Sequence, residues 1–334
     1  MDTLIKDIAT LKNYINAEGS SALKNVSPSA LKAERNYIVK VIGDAVYANL
    51  LDGVKNNNLT VDETTLLNEV LMAEAPLAYY LGIPIQQVRF GDTGLHTATT
   101  DSTQQLTKWM YDEFRTQLLI DGYNAIDNLY QYMEKQTGAD WYAAWTSDEA
   151  FTGYKELFVN NVKIFSATVE IKASRWLFSR IIPTLRLAEA FFIIPAIGTD
   201  FFGDLKTKFR NGTATLQEKN AIGVIQNAIS LMAYSRALTD PMFVNELIVV
   251  TATKTDNVKA PDVKPYYELS EQYKQMAESA LNLLLKYLNE DASPTVFIPY
   301  YTSEFYTDPA KSSLNTNFDN TRPGNQGANS TFFF

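Results

Sequence analysis

One spacing governs this sequence. The stretch from Pro28 to Pro84 returns, without a gap, at Pro183 to Thr239. Sliding Gly43 onto Gly198, 155 positions on, also brings Pro28 onto Pro183, Ala33-Glu34 onto Ala188-Glu189, Ile38 onto Ile193 and Ile42 onto Ile197. Downstream, Leu50 falls on Leu205, Asn56 on Asn211, Thr60 on Thr215, Glu63 on Glu218, Ala73 on Ala228 and Ala78-Tyr79 on Ala233-Tyr234. Substitutions between these identities keep apolar character, as at Tyr37/Phe192, Leu67/Ile222 and Ile83/Leu238. Two helical stretches that merely shared a composition would not also align their glycines, prolines and capping residues. The chain therefore reads as a tandem duplication of one module.

The local chemistry of the repeat is helical. Ser27-Pro28 supplies a cap and a proline for a first turn, followed by Ala30, Ala33, Tyr37 and Val41 on one face. Gly43-Asp44 and Gly198-Thr199 each read as a C-terminal glycine followed by the start of another helix. Thr60-Val61-Asp62-Glu63 and Thr215-Leu216-Gln217-Glu218 are both capping boxes, each opening a longer helix that ends near Pro84 or Pro241. Short extended stretches follow, Gln86 to Phe90 and Glu246 to Thr251, where small β-hairpins are predicted. Long amphipathic helices are then predicted between Ser102 and Lys135 and between Pro265 and Asn289. A linker is expected from Trp141 to Gly153, and helices over Leu4–Ile15 and Leu157–Ile171. The expected division is a first helical repeat over 1–150, a second over 151–291 and an extended tail over 292–334.

That tail changes character. Ser313 to Thr331 is rich in Asn, Ser, Thr, Gly and Pro, with little to build a core, and it leads to Phe332-Phe333-Phe334. An apolar triplet on a polar tether either plugs a pocket of a partner subunit or folds back on its own domain. Phe332, Phe333 and Phe334 are the candidate partner-binding residues.

Composition narrows the function classes. With 334 residues and 46% apolar content, the chain can build two domains with separate cores. A net charge of −9 disfavours nonspecific binding to a nucleic acid backbone. No apolar run approaches the roughly 18 residues of a membrane span, and the start, Met1-Asp2-Thr3-Leu4-Ile5-Lys6-Asp7, is unlike a secretory signal, so a cytoplasmic origin is expected. The absence of cysteine removes disulfides, thiolate metal sites and cysteine nucleophiles. The single histidine, His96, has no metal-ligating partner at helical spacing. Gly91-Asp92-Thr93-Gly94 has the form of an aspartic protease loop, but that chemistry needs two such loops with paired carboxylates, and only one occurs. Glu34 and Glu189 form the acidic pair shared by the first helices of the two copies, and are read as solvated or paired with arginine. Trp109, Trp141, Trp145 and Trp176 are read as core or protein interface in preference to a sugar platform. No catalytic set, cofactor site or metal site is identified, and the chain is expected not to be an enzyme.

The run from Tyr37 to Tyr47, the capped helix ending in Ala78-Tyr79-Tyr80-Leu81, the stretch from Val88 to His96, and the second copy at Phe192 to Phe202 together carry a resemblance. They resemble an uncharacterised family of Bacteroidetes phages and prophages, and the single repeat is similar to the small helical head-tail connector (adaptor) proteins of tailed phages. The resemblance covers most of residues 1–290. It implies a mainly α fold, a tandem duplication of a connector-like module, and a structural virion protein in the neck or tail region, assembled in the host bacterial cytoplasm. By the same resemblance the chain would form a homo-oligomeric ring, a dodecamer matching the portal protein, akin to the ring proteins of crAss-like phages. It would contact the portal and other connector rings, and DNA would pass through without specific binding. The alternative reading is a helical carbohydrate- or protein-binding module of a gut bacterium.

Overall fold

A computed structural model describes residues 2–15, 23–86, 88–91, 94–97, 107–251 and 264–309. The fold is mainly helical, and it consists of two modules built in the same order.

In the first module a short helix, α1 (Ile8–Lys12), is capped by Asp7, whose carboxylate accepts the Thr10 N–H at 2.7 Å. Helix α2 (Leu23–Ala33) continues through a π-helical turn (Glu34–Ile38) into α3 (Val39–Ile42). Gly43 then reverses the chain into α4 (Asp44–Asn56), and the capping box starts α5 (Val61–Gln86). The box is formed as expected: the Thr60 N–H donates to Glu63 Oε2 at 2.9 Å and the Glu63 N–H to Thr60 Oγ1 at 3.1 Å. A two-stranded antiparallel hairpin follows, β1 (Val88–Gly91) with β2 (Gly94–Thr97). Helix α6 (Lys108–Lys135) returns antiparallel to α5, so that Gly122 backs onto Leu77 and Phe114 meets Tyr79 edge-on. Helix α7 (Tyr142–Ser147) closes the module, and α8 (Glu149–Lys155) leads into the next.

The second module repeats the plan, with a helix in the place of the hairpin. It runs α9 (Val162–Ser166), α10 (Arg175–Ala188), a π-helical turn (Glu189–Ile193), α11 (Ile194–Ile197), α12 (Thr199–Asn211), α13 (Leu216–Ala237), α14 (Pro241–Thr251), α15 (Lys264–Asp291) and α16 (Ile298–Tyr301). The second capping box also forms, with Thr215 N–H on Glu218 Oε2 at 2.8 Å. Helices α4 and α12 end on residues in the left-handed conformation, Asn57 and Gly212, again 155 positions apart. Each module has its own core, around Leu50, Leu66 and Trp145 in the first and around Phe158, Phe201 and Tyr300 in the second.

Several expectations change. Glu246–Thr251 is helical and forms part of α14: Asp240 accepts the Met242 N–H at 2.9 Å, Pro241 fits a first turn, and Phe243, Val244 and Leu247 bury one face. The β-branched run there suggested a strand, and tertiary packing overrides that preference. Helix α2 begins ahead of Pro28 instead of at it, and α10 likewise begins ahead of Pro183. In the second copy Ser174 is the cap, accepting the Leu177 N–H at 3.2 Å, and Trp176, Leu177 and Ile181 bury the turns before the proline. The segments Leu4–Ile15 and Leu157–Ile171 contain only the short helices α1 and α9. The expected linker carries Trp141 and Trp145, both buried in the first core. Trp145 Nε1 donates to the Val41 carbonyl at 3.0 Å. Residues 292–309 are not tail: Phe297 and Tyr300 are buried in the second core, and Tyr300 is the 155-residue counterpart of Trp145. Phe332, Phe333 and Phe334, with the rest of 310–334, lie outside the described residues.

The reversal between the short and long helices needs glycine in both modules. Gly43 has φ 80° and Gly198 φ 84°, each with ψ near the extended value, a region other residues rarely enter. A Cβ at Gly198 would lie 2.8 Å from the Phe305 ring. Gly198→Ala is therefore expected to lower stability by about 2 kcal/mol, read by urea denaturation. An unchanged midpoint would contradict the tight fit.

Candidate functional site

The features that the two modules share most closely are buried carboxylates. Glu34 and Glu189 occupy the first position of the two π-helical turns and are buried. A π-turn widens the helix by one residue and is often associated with functional positions. Here each carboxylate reaches the arm that precedes the module. Glu34 accepts the Leu4 N–H at 2.6 Å and the Tyr47 O–H at 2.7 Å. Glu189 accepts the Phe158 N–H at 2.7 Å and the Lys206 ammonium. The arm that bears α1 or α9 is thereby stitched to the reversal that leads into α4 or α12.

The two sites balance charge differently. In the first module Glu74, on α5, is fully buried against Glu34, and neither of its oxygens makes a hydrogen bond of regular geometry. Burial, reinforced by the charge of Glu34, pushes the Glu74 carboxyl well above the ordinary carboxylate range. Burial also raises Glu34, against the opposing bonds from Leu4 and Tyr47. The Tyr47 hydroxyl is raised in turn, by burial and then by Glu34. In the second module the counterpart of Glu74 is Ile229, and the counterpart of Leu51 is Lys206. One copy sets its glutamate against a second buried carboxyl whose charged form burial disfavours, and the other sets it against an ammonium.

A buried acid pair sharing a proton can serve general acid–base chemistry where substrate reaches it. Neither of two surface clefts includes Glu34 or Glu74. One, of about 310 Å³, lies beside the first arm among Leu4, Lys6, Asn57 and Leu59. The other, of about 330 Å³, lies where the modules meet and is lined by Glu134, Lys155, Lys163 and Arg175. There Arg175 pairs with Glu134 at 2.9 Å, and Lys155 lies 4.7 Å over the Phe151 ring. Burial lowers the Lys155 ammonium from its usual value. Among the described residues, no group of three or more His, Asp or Glu side chains converges as a metal site would require.

The modules are joined by α10 laid against α6. Asp127 accepts the Trp176 N–H at 2.8 Å, capping the start of α10, and the Trp176 ring stacks on Tyr123 at 5.4 Å and meets Tyr37 at 5.5 Å. Burial raises the Asp127 carboxyl, offset by these amide bonds. Elsewhere α6 carries exposed apolar side chains, Trp109, Met110 and Phe114, with Arg115 placed 4.6 Å over the Tyr80 ring.

The profile of a family of unknown function, DUF6712, matches the chain twice, over residues 38–154 and 193–307. The chain belongs to this family. The two matches begin 155 positions apart, so each DUF6712 unit corresponds to one module from its π-turn to its closing helix. No curated protein and no solved structure matches the chain.

Of the candidates read from sequence, Trp141, Trp145 and Trp176 are core or inter-module residues, and Trp109 alone of the four is largely exposed, at 63%. His96 lies on β2, its backbone paired with Arg89. Gly91 and Gly94 face each other at the hairpin turn. Glu34 and Glu189 are buried rather than solvated, which overturns the expectation. The signal was available: Glu74 sits in an unbroken apolar run from Ala73 to Ala78, where a carboxylate has to find a buried partner.

Proposed function

We propose that the protein is a structural virion component, a head-to-tail connector that forms a ring beneath the portal and lets DNA pass. The observation that supports this reading is the pairing of two like helical modules in one chain, joined side by side through a polar-capped aromatic contact. Chains built that way favour assemblies in which the same kind of contact recurs between subunits. The acidic balance, −9 over the whole chain, agrees with a bore that phosphate does not adhere to. In this reading Phe332, Phe333 and Phe334 engage a neighbouring subunit or the portal. Deleting these three residues is expected to leave the circular dichroism spectrum unchanged and to reduce incorporation into particles. Normal incorporation would remove the plug from the account.

The exposed indole of Trp109, beside Met110 and Phe114, favours a second reading as a carbohydrate- or protein-binding module. Sedimentation velocity and a glycan screen on the purified chain separate the two. A ring-sized species without glycan binding favours the connector, and a monomer that retains glycans favours the module.

A further inference from the structure

The cleft where the modules meet carries more positive charge than its own walls neutralise. Those walls come from the end of α6, the start of α7, the end of α8 and the starts of α9 and α10. Lys155, Lys163 and Arg175 line it with Glu134, three cations against one carboxylate, in a chain whose overall charge is −9. Glu134 is already committed to Arg175, whose Nε and Nη2 both donate to its Oε2, at 3.2 and 2.9 Å. Among the described residues neither Lys155 nor Lys163 pairs with a carboxylate. Lys155 is half-buried, with the ring faces of Phe151 and Tyr154 at 4.7 and 5.1 Å from its ammonium. Burial opposes its charge there, and the attraction of Glu134 does not make up the difference. The shared module plan does not call for these cations: the caps Asp7 and Asn161 align the two arms, and in that register Ala9 stands where the second arm has Lys163.

We propose that this cleft binds a small phosphate-bearing anion, with the phosphate set among Lys155, Lys163 and Arg175 and any attached organic group against Tyr142 and Phe151. Charge selects a dianion over a simple carboxylate. Glu134 leaves two positive charges over, and a carboxylate balances one of them, whereas a phosphate monoester carries about −1.5 to −2 near neutral pH. Geometry favours the same group: the guanidinium still has Nη1 to offer, its planar fork matches phosphate oxygens, and the lysines serve as point charges beside it. At about 330 Å³ the cleft lies in the size range of small-molecule sites and exceeds a bare phosphate, and the two aromatic side chains give the remaining volume an apolar wall. A bound phosphate supplies the counter-charge that Lys155 lacks in the fold. Binding there requires no ring, so it stands apart from the connector reading.

Isothermal titration calorimetry of the full chain with inorganic phosphate, phenyl phosphate and acetate tests the site. Both phosphates are expected to bind, and acetate to bind about tenfold more weakly or less well still. Tighter binding of phenyl phosphate than of inorganic phosphate identifies an ester as the ligand, and equal binding identifies the free anion. Lys155→Met keeps the length of the side chain and its place beside Phe151. It is expected to retain the native circular dichroism spectrum while weakening phosphate binding about tenfold. Glu134→Gln removes the competing carboxylate and is expected to tighten phosphate binding by about three- to tenfold, a gain that damage to the fold does not produce. No heat with either phosphate up to about 10 mM would overturn the proposal. Undiminished phosphate binding by Lys155→Met, weaker binding by Glu134→Gln, or acetate binding as well as phosphate would each do the same. A single-stranded oligonucleotide that binds where both small phosphates fail would reassign these cations to a nucleic acid backbone and likewise overturn it.

Discussion

Replacing Glu189 by alanine is expected to destabilise the second module by about 3–5 kcal/mol, the largest effect of any single change considered. The carboxylate accepts the buried Phe158 N–H and holds Lys206, whose side chain is only 21% exposed. Removing it leaves a buried amide without an acceptor and an ammonium without a counter-charge, and both lose solvation that the fold no longer replaces. Glu189→Gln should cost less, since an amide oxygen can still accept from Phe158. Adding Lys206→Leu to Glu189→Ala should recover part of the loss, because leucine stands at the equivalent position 51 of the first module. Urea denaturation checks the series. A loss below about 1 kcal/mol for Glu189→Ala would show that the arm is held by apolar packing alone.

Glu74→Ile carries the second large effect, with the opposite sign. The folded protein raises the Glu74 carboxyl above the ordinary value of 4.5, so the folded state holds this proton more tightly than the unfolded chain does. Below the ordinary value both states are protonated and the contribution is fully present. As pH rises past it, the unfolded chain ionises first, and stability falls until the folded carboxyl also titrates. Wild-type protein is thus expected to lose stability from this pair as pH rises past the ordinary value of 4.5. Isoleucine, the residue found at the equivalent position 229, removes the slope and adds about 1–4 kcal/mol at neutral pH. Parallel pH slopes for wild type and Glu74→Ile would show that the fold does not raise the Glu74 carboxyl.

The duplication was legible because its marks are local. Glycine at the reversal, threonine and glutamate at the capping box, and an apolar period matched to the helical turn each act within a few residues, and each stands in the structure where the sequence placed it. The remaining features are set by tertiary contacts. Glu246–Thr251 has the composition of a strand, yet α14 is helical because Asp240 caps it and its apolar face packs into the core. Tyr300 reads as tail because the composition changes after Ala292, yet it fills the site that Trp145 fills in the first copy, a match of tyrosine to tryptophan that identity does not reveal. The charge exchange between Glu74 and Lys206 spans two positions of the repeat, on different helices, and becomes visible only when each is seen beside its module's equivalent glutamate.

The proposal that the chain is a connector is tested most directly by mixing it with a tailed-phage portal protein from the same genome and imaging the mixture by electron microscopy with class averaging. The account predicts rings stacked coaxially on the portal, with a copy number that matches the portal's symmetry. Portals that remain bare beside a monodisperse chain would contradict it.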